Sequence, residues 1–285
     1  MADESTQGDR DTALQRLRNA GGFIFDMDGT LVLGDKNNKG LNPLPGALAF
    51  MHLLKERQVP YVVFTNGTPR TPEMYAGMLR DAGFPLGDEQ MLTPASSAVD
   101  LFVKRKYKRV CVLGGEGINI PLRQAGIDVV AAQGKPEADA VFAGWFREFS
   151  MANLESACHA VSRGAKVYSA SQSLFFATAN GKSFGTSRAM SAVIRDLTGA
   201  RINIIGKPAM HALRSASVRL KIKLQDIVVV GDDPSLEISM ANRGKCLAVA
   251  VNTGIGNEDD YKKLAEKDRP HLFLESMNCL LSLYR

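Results

Sequence analysis

Several apolar runs along the 285-residue chain end on polar side chains, and four of them fix how the rest is read. Gly22-Phe23-Ile24-Phe25 runs into Asp26, Tyr61-Val62-Val63-Phe64 into Thr65-Asn66-Gly67, Ile204-Ile205 into Gly206-Lys207, and Ile227-Val228-Val229-Val230 into Gly231-Asp232-Asp233. A short unbroken apolar run without alternation predicts a strand buried on both faces, the pattern of a parallel sheet. Between the first two runs, Ala47 to Lys55 carries apolar residues at helical spacing and ends basic. Strand, helix and strand form a right-handed unit, the building block of a doubly wound sheet. The fold class expected is α/β, with a Rossmann-like doubly wound parallel core.

The middle of the chain repeats the alternation. Thr71-Pro72 starts a helix that runs to Gly83, and Thr93-Pro94 starts another that ends at Lys104-Arg105-Lys106. Strands follow at Arg109–Leu113, Ile127–Val130, Ala138–Ala143 and Lys166–Tyr168, with helices over Met151–Arg163 and Thr186–Leu197, which predicts a second α/β domain. The turn Gly114-Gly115-Glu116-Gly117 lacks the third glycine of a dinucleotide fingerprint, because Ile120 occupies that place, and reads as a plain strand-to-helix turn. One strand–helix–strand unit separates Asp26 from Thr65, whereas Lys207 follows Thr65 after room for a whole domain. The second domain is therefore inserted. The expected division is a 1–20 extension, a core of 21–70 and 206–285, and an inserted unit of 71–205. Residues 1 to about 10 read as disordered polar chain, Asp11–Ala20 as a short helix, and Ser235–Arg243, after the fourth run, as another helix.

Side chains two apart on an extended chain face the same way, so Asp26 and Asp28 can face one pocket. Two carboxylates this close repel, so either a divalent cation neutralises them or one holds a proton. A solvated Asp-Gly hairpin turn is the bland alternative. Thr65-Asn66-Gly67 likewise reads as a turn by itself. Gly206-Lys207 is no nucleotide P-loop, since Pro208 stands where Ser or Thr is needed and Arg201 where glycine is needed.

Taken together and in order, the four strand ends resemble the four signature motifs of the haloacid dehalogenase superfamily of phosphotransferases. The site of the insertion resembles the superfamily's larger α/β cap (C2 type), found in the subgroup of 4-nitrophenylphosphatase, phosphoglycolate phosphatase and NagD-like sugar phosphatase relatives. The resemblance implies a magnesium-dependent phosphatase acting on a small phosphorylated metabolite. In it Asp26 is the nucleophile that forms an aspartyl-phosphate and Asp28 the general acid and base. Thr65 and Asn66 bind the phosphoryl oxygens, Lys207 neutralises charge, and magnesium sits on Asp26, the Asp28 carbonyl and Asp232. Asp233 and Glu237 fall behind the metal ligands, Glu237 standing where the family usually has aspartate. In the cap, Ser171-Gln172-Ser173 and Gly185-Thr186-Ser187-Arg188 depart from relatives' loops. Ser171 and Arg188 are candidate substrate contacts there, Arg188 suited to a carboxylate or second phosphate. A phosphomutase or phosphotransferase keeps the same motifs, and a catalytically weak phosphate-binding protein keeps the same fold.

Composition leaves this picture intact. A net charge of +5 spread along the chain suits a small anionic substrate and does not argue for nucleic acid. Lys104-Arg105-Lys106 is a solvated helix end. The four cysteines have no metal or redox spacing and read as reduced, while His52, His159, His211 and His271 read as structural. Trp145, after a cap strand, either packs or lines the substrate pocket. With no apolar stretch of membrane-span length and an acidic, polar start, a cytoplasmic protein is expected. It would pair, if at all, as a homodimer through the cap.

Overall fold

The structure, a computed structural model, describes residues 2–34, 40–178 and 181–285. Its first sheet has six strands, all parallel, in the order Leu272–Leu274, Leu247–Val251, Ile227–Gly231, Gly22–Phe25, Tyr61–Phe64, Met91–Leu92. Both faces are covered, which is why the strands show no alternation in sequence. Phe23 and Phe25 turn to one face, where they pack on Phe50 and Tyr284 from the flanking helices. Ile24, Val62, Phe64 and Val229 turn to the other, against Leu213 and Met240. From Gly22–Phe25 the chain winds first to one side and later returns on the other, so the strand order reverses there. In open α/β sheets that reversal opens a crevice beyond the carboxyl ends of the strands.

A second parallel sheet runs Ile202–Ile204, Lys166–Ser169, Ala140–Ala143, Arg109–Leu113, Asp128–Ala131. Phe102 and Tyr168, with ring centroids 4.9 Å apart, anchor one face. Helices Met151–Ser162 and Thr186–Thr198 contribute Leu154, Met190 and Ile194 to the other. A separate antiparallel hairpin, Phe175–Thr178 with Gly181–Phe184, follows the Lys166–Ser169 strand.

Three expectations are corrected. The insertion does not begin at residue 71. Met91–Leu92 pairs with Tyr61–Phe64, and Tyr75, Ala76 and Leu79 of helix Pro72–Asp81 join the first core, so the chain crosses to the second sheet only at Thr93-Pro94. The polar N-terminus is not disordered from its second residue on, because helix Ala2–Arg18 runs through it and buries Ala13 and Leu17 in the first core. The helix expected over Ser235–Arg243 opens instead as a π-turn, Pro234–Ile238, before continuing as Ser239–Gly244. π-Turns are rare and frequently lie at functional sites.

The glycine-rich turn has a packing cause. A Cβ on Gly117 would lie 2.4 Å from the Thr68 carbonyl oxygen, and one on Gly144 would lie 2.7 Å from Thr68 Oγ1. The segment after Asn66 therefore crosses the strand ends of the second sheet at backbone contact. All four cysteines are free; Cys111 and Cys246 are core residues, burial pushing the Cys111 thiol up to about 11, whereas Cys158 and Cys279 are half-buried.

Candidate active site

Asp26 is the residue immediately after the central strand. Its N–H continues the ladder to the Val230 carbonyl at 2.9 Å, and only 7% of the residue is exposed. The chain then folds back on itself, with the N–H groups of Leu31 and Val32 both donating to the Met27 carbonyl at 3.0 Å. This turn needs Gly29, whose φ is 92° and where a Cβ would stand 2.6 Å from Asp232 Oδ2. Asp28 faces the same pocket as Asp26, and its Oδ2 accepts a hydrogen bond from Thr65 Oγ1 at 3.2 Å. The hairpin-turn alternative for Asp-Gly is thereby set aside.

Lys207 reaches this floor from the end of the second crossing between the sheets. Its ammonium donates to Asp26 Oδ1 and lies 2.6 Å from Glu237 Oε1, with 1% of the residue exposed. Nζ also sits 5.6 Å from the Phe64 ring centroid, a cation over an aromatic face. What holds the lysine backbone was not foreseen. The Asn66 side chain clasps it at both ends, Oδ1 accepting from Lys207 N at 2.8 Å and Nδ2 donating to the Lys207 carbonyl at 3.0 Å. The same Nδ2 lies 3.3 Å from Ser171 Oγ, so one amide joins three strand ends.

Asp232 occupies the place after Ile227–Gly231 and is held by the Ile255 N–H on Oδ2 at 2.7 Å. Gly254 permits this, since a Cβ there would stand 1.8 Å from the same oxygen. Asp233 caps the π-turn through Ser235 N at 2.7 Å. That turn carries the Glu237 carboxylate back over the strand end, where Oε2 accepts from Asp233 N at 3.2 Å and Oε1 meets Lys207. Gly231 is the enabling residue, because a Cβ on it would stand 2.4 Å from Glu237 Cβ. Glu237 was expected beside a metal ligand, and in the structure its partner is the lysine.

The electrostatics follow from crowding. Burial works against the Lys207 ammonium, but Asp26 and Glu237 outweigh it and raise its pKa above the ordinary value. Burial, then the charge of Asp26 and Glu237, raises Asp232 well above the usual carboxylate range, against the Ile255 N–H. Burial pushes Glu237 up to about 8, against the pull of Lys207. One lysine faces more negative charge than it can neutralise. A cation would relieve that excess, and the donors offered are all hard oxygen. Among the described residues no three His, Cys, Asp or Glu side chains surround one point. The oxygen donors Asp26, the Asp28 carbonyl and Asp232 suit a hard divalent cation.

Asp26, Asp28, Thr65, Lys207 and Asp232 all line one cavity of about 100 Å³ between the sheets. Its far wall comes from the second sheet and hairpin, and includes Trp145, Ser171, Phe175 and Thr186. Of the two readings for Trp145, the structure gives the lining one. Thr68 Oγ1 accepts the main-chain N–H of Trp145 at 2.7 Å and fixes that wall to the floor. Arg188 is not on the wall. It is exposed and donates to the Gln172 carbonyl at 2.7 Å, which corrects its expected place opposite the substrate.

Residues 23–128 match a haloacid dehalogenase-like hydrolase family, and residues 204–280 match a HAD-hydrolase-like family. An acid sugar phosphatase of Staphylococcus haemolyticus is 27% identical over 93% of this chain and 97% of its own length. The 5'-nucleotidase YutF of Bacillus subtilis is 27% identical over 86% of this chain and 92% of its own length. Among solved structures, a glycerol phosphate phosphatase of Mycobacterium tuberculosis, in complex with calcium, superposes with a TM-score of 0.80 at 25% identity. That match spans 93% of this chain and 76% of the other.

Proposed function

The chain belongs to the haloacid dehalogenase-like hydrolases and is a phosphatase, and from that premise we propose that it is a magnesium-dependent one, hydrolysing a small phosphorylated metabolite through Asp26. One observation carries this reading: Asp26, Asp28, Thr65, Lys207 and Asp232, from four strand ends, line a single cavity.

An Asp26 carboxylate oxygen attacks phosphorus as the ester P–O bond breaks, forming an acyl phosphate. Asp28, in its protonated form, gives its proton to the departing oxygen, and the alcohol leaves. Asp28 then accepts a proton from water as that water attacks phosphorus, the bond to Asp26 breaks, and phosphate is released with the carboxylate restored. Lys207, fixed by Glu237 and by the Asn66 clasp, offsets charge on Asp26 and on the phosphoryl oxygens without reorganising. Thr65, now bonded to Asp28, is placed to donate to a phosphoryl oxygen when substrate enters. Magnesium, held by Asp26, the Asp28 main-chain carbonyl and Asp232, would supply the remaining positive charge to those oxygens.

Release of inorganic phosphate from an aryl phosphate tests the reading. Turnover should need magnesium, stop in chelator, and return poorly with calcium, which coordinates more loosely. Full turnover in chelator contradicts it.

A further inference from the structure

Two arginines flank the cavity. The guanidinium of Arg70 lies 5.9 Å from the Tyr75 ring centroid and that of Arg147 lies 5.7 Å from the Trp145 ring centroid, and both aromatic residues line the cavity. The two differ in how their charge is met. Arg147 is exposed, so water solvates it. Arg70 is half-buried, and its Nη1, which is buried outright, has no hydrogen-bond partner among the described residues. No carboxylate pairs with its guanidinium there either. Buried polar groups nearly always find a partner, and a charged donor left without one costs more than a neutral donor.

The chain holds Arg70 at the cavity from both sides. Thr68 and Pro69, just before it, line the cavity. Thr71, just after it, caps helix Pro72–Asp81 by accepting from Met74 N at 3.3 Å. A Cβ on Gly117 would lie 2.5 Å from the Arg70 carbonyl oxygen and 2.6 Å from its N, so the main chain is also clamped against the turn of the second sheet. The guanidinium thus rests over the Tyr75 ring with its planar fork open to an acceptor in its own plane. Lys207 does not compete for that acceptor, being committed to Asp26 and Glu237.

We infer that Arg70 is a specificity residue that binds a carboxylate on the alcohol part of the substrate, so that the site prefers phosphomonoesters carrying a carboxylate to their uncharged counterparts. The inference rests on the phosphatase reading of the same site. One guanidinium matches one carboxylate in charge and in bidentate geometry. A second phosphate would bring a charge of about −1.5 to −2 to a cavity whose floor already holds Asp26, Asp28 and Asp232.

The full chain with magnesium tests this on 3- and 4-carboxyphenyl phosphate, each against its carbamoylphenyl counterpart, which is nearly equal in size and uncharged at that position. At one ring position or both, the carboxylate ester should be the better substrate by about tenfold in kcat/KM, mostly through KM. Arg70→Gln should bring that ratio to within about twofold of one. Arg70→Lys, which keeps the charge and loses the fork, should retain a ratio of about three, and Arg147→Gln should leave it within about twofold of the parent. Because two substrates are compared on each protein, a general loss of folding or of chemistry cancels from the ratio. A ratio near one in the parent at both ring positions, or one that survives Arg70→Gln or falls with Arg147→Gln instead, overturns the inference. Hydrolysis of none of the four esters overturns the phosphatase reading beneath it.

Discussion

The Glu237 carboxylate lies 2.6 Å from Lys207 Nζ, both side chains almost wholly buried, and it reaches the lysine only through the π-turn at Pro234–Ile238. A lysine shared between Glu237 and Asp26 is held still, and removing one of its anchors lets it wander or overbind Asp26. Glu237→Gln should lower kcat by about 10- to 100-fold with KM little changed, as expected for loss of a preorganised charge. Steady-state kinetics on an aryl phosphate checks this, and a change confined to KM contradicts it.

Asn66 acts on the same lysine from the backbone side. Asn66→Ala removes both hydrogen bonds to Lys207 and leaves a buried N–H and carbonyl without them, at a cost of about 1–3 kcal/mol for each group left unsatisfied. Urea unfolding should show the loss, and kcat should fall with it. Asn66→Asp keeps the acceptor and loses the donor, so it should fall between Asn66→Ala and the parent.

The strand ends were legible because each polar residue directly follows a buried apolar run, so Asp26, Thr65 and Asp232 could be placed without knowing a single contact. The Asn66 clasp was not legible, since its two partners are the main-chain atoms of Lys207, far along the chain, and Thr-Asn-Gly by itself is a turn. Glu237 was placed behind the metal ligands because spacing reveals position but not the π-turn that carries the side chain to Lys207. Gly231 was the available signal, a glycine at a strand end where a Cβ would strike Glu237. Met91–Leu92 escaped notice because two residues carry no periodicity, and with it went the crossing point between the sheets. Arg188 was drawn toward the substrate by its place at a helix start, yet its reach ends on the Gln172 carbonyl.

Arg188→Ala should accordingly leave KM within about twofold for charged and uncharged substrates alike, and change stability by no more than about 1 kcal/mol, as for an exposed hydrogen bond. A rise in KM specific to anionic substrates would return Arg188 to the site.

Crowded carboxylates also make a prediction about pH. Glu237 is held near 8 in the folded chain against an ordinary 4.5, and Asp232 is raised in the same direction. The native state therefore binds more protons than the unfolded state over that window, and stability without metal should fall as the pH rises from 4.5 to about 8. Magnesium competes with those protons and should restore stability most at the upper end. Thermal unfolding with and without chelator across that range checks the sign, and a metal effect largest at acidic pH contradicts it.

Gly254→Ala tests how Asp232 is positioned. The added Cβ would occupy the space of Asp232 Oδ2 and force the carboxylate off the Ile255 N–H. The magnesium concentration for half-maximal turnover should rise about tenfold or more, in the range seen when a ligand's supporting contacts are lost. An unchanged magnesium requirement would detach Asp232 from the metal.

The central claim is that Asp26 forms the bond to phosphorus, and the turnover number of Asp26→Asn tests it most directly. The carboxamide keeps the shape of the side chain and loses its nucleophilic charge. With phenyl phosphate and magnesium, the account predicts kcat at least about 1,000-fold below the parent, in a protein that unfolds at a similar temperature. Turnover within tenfold of the parent would contradict it.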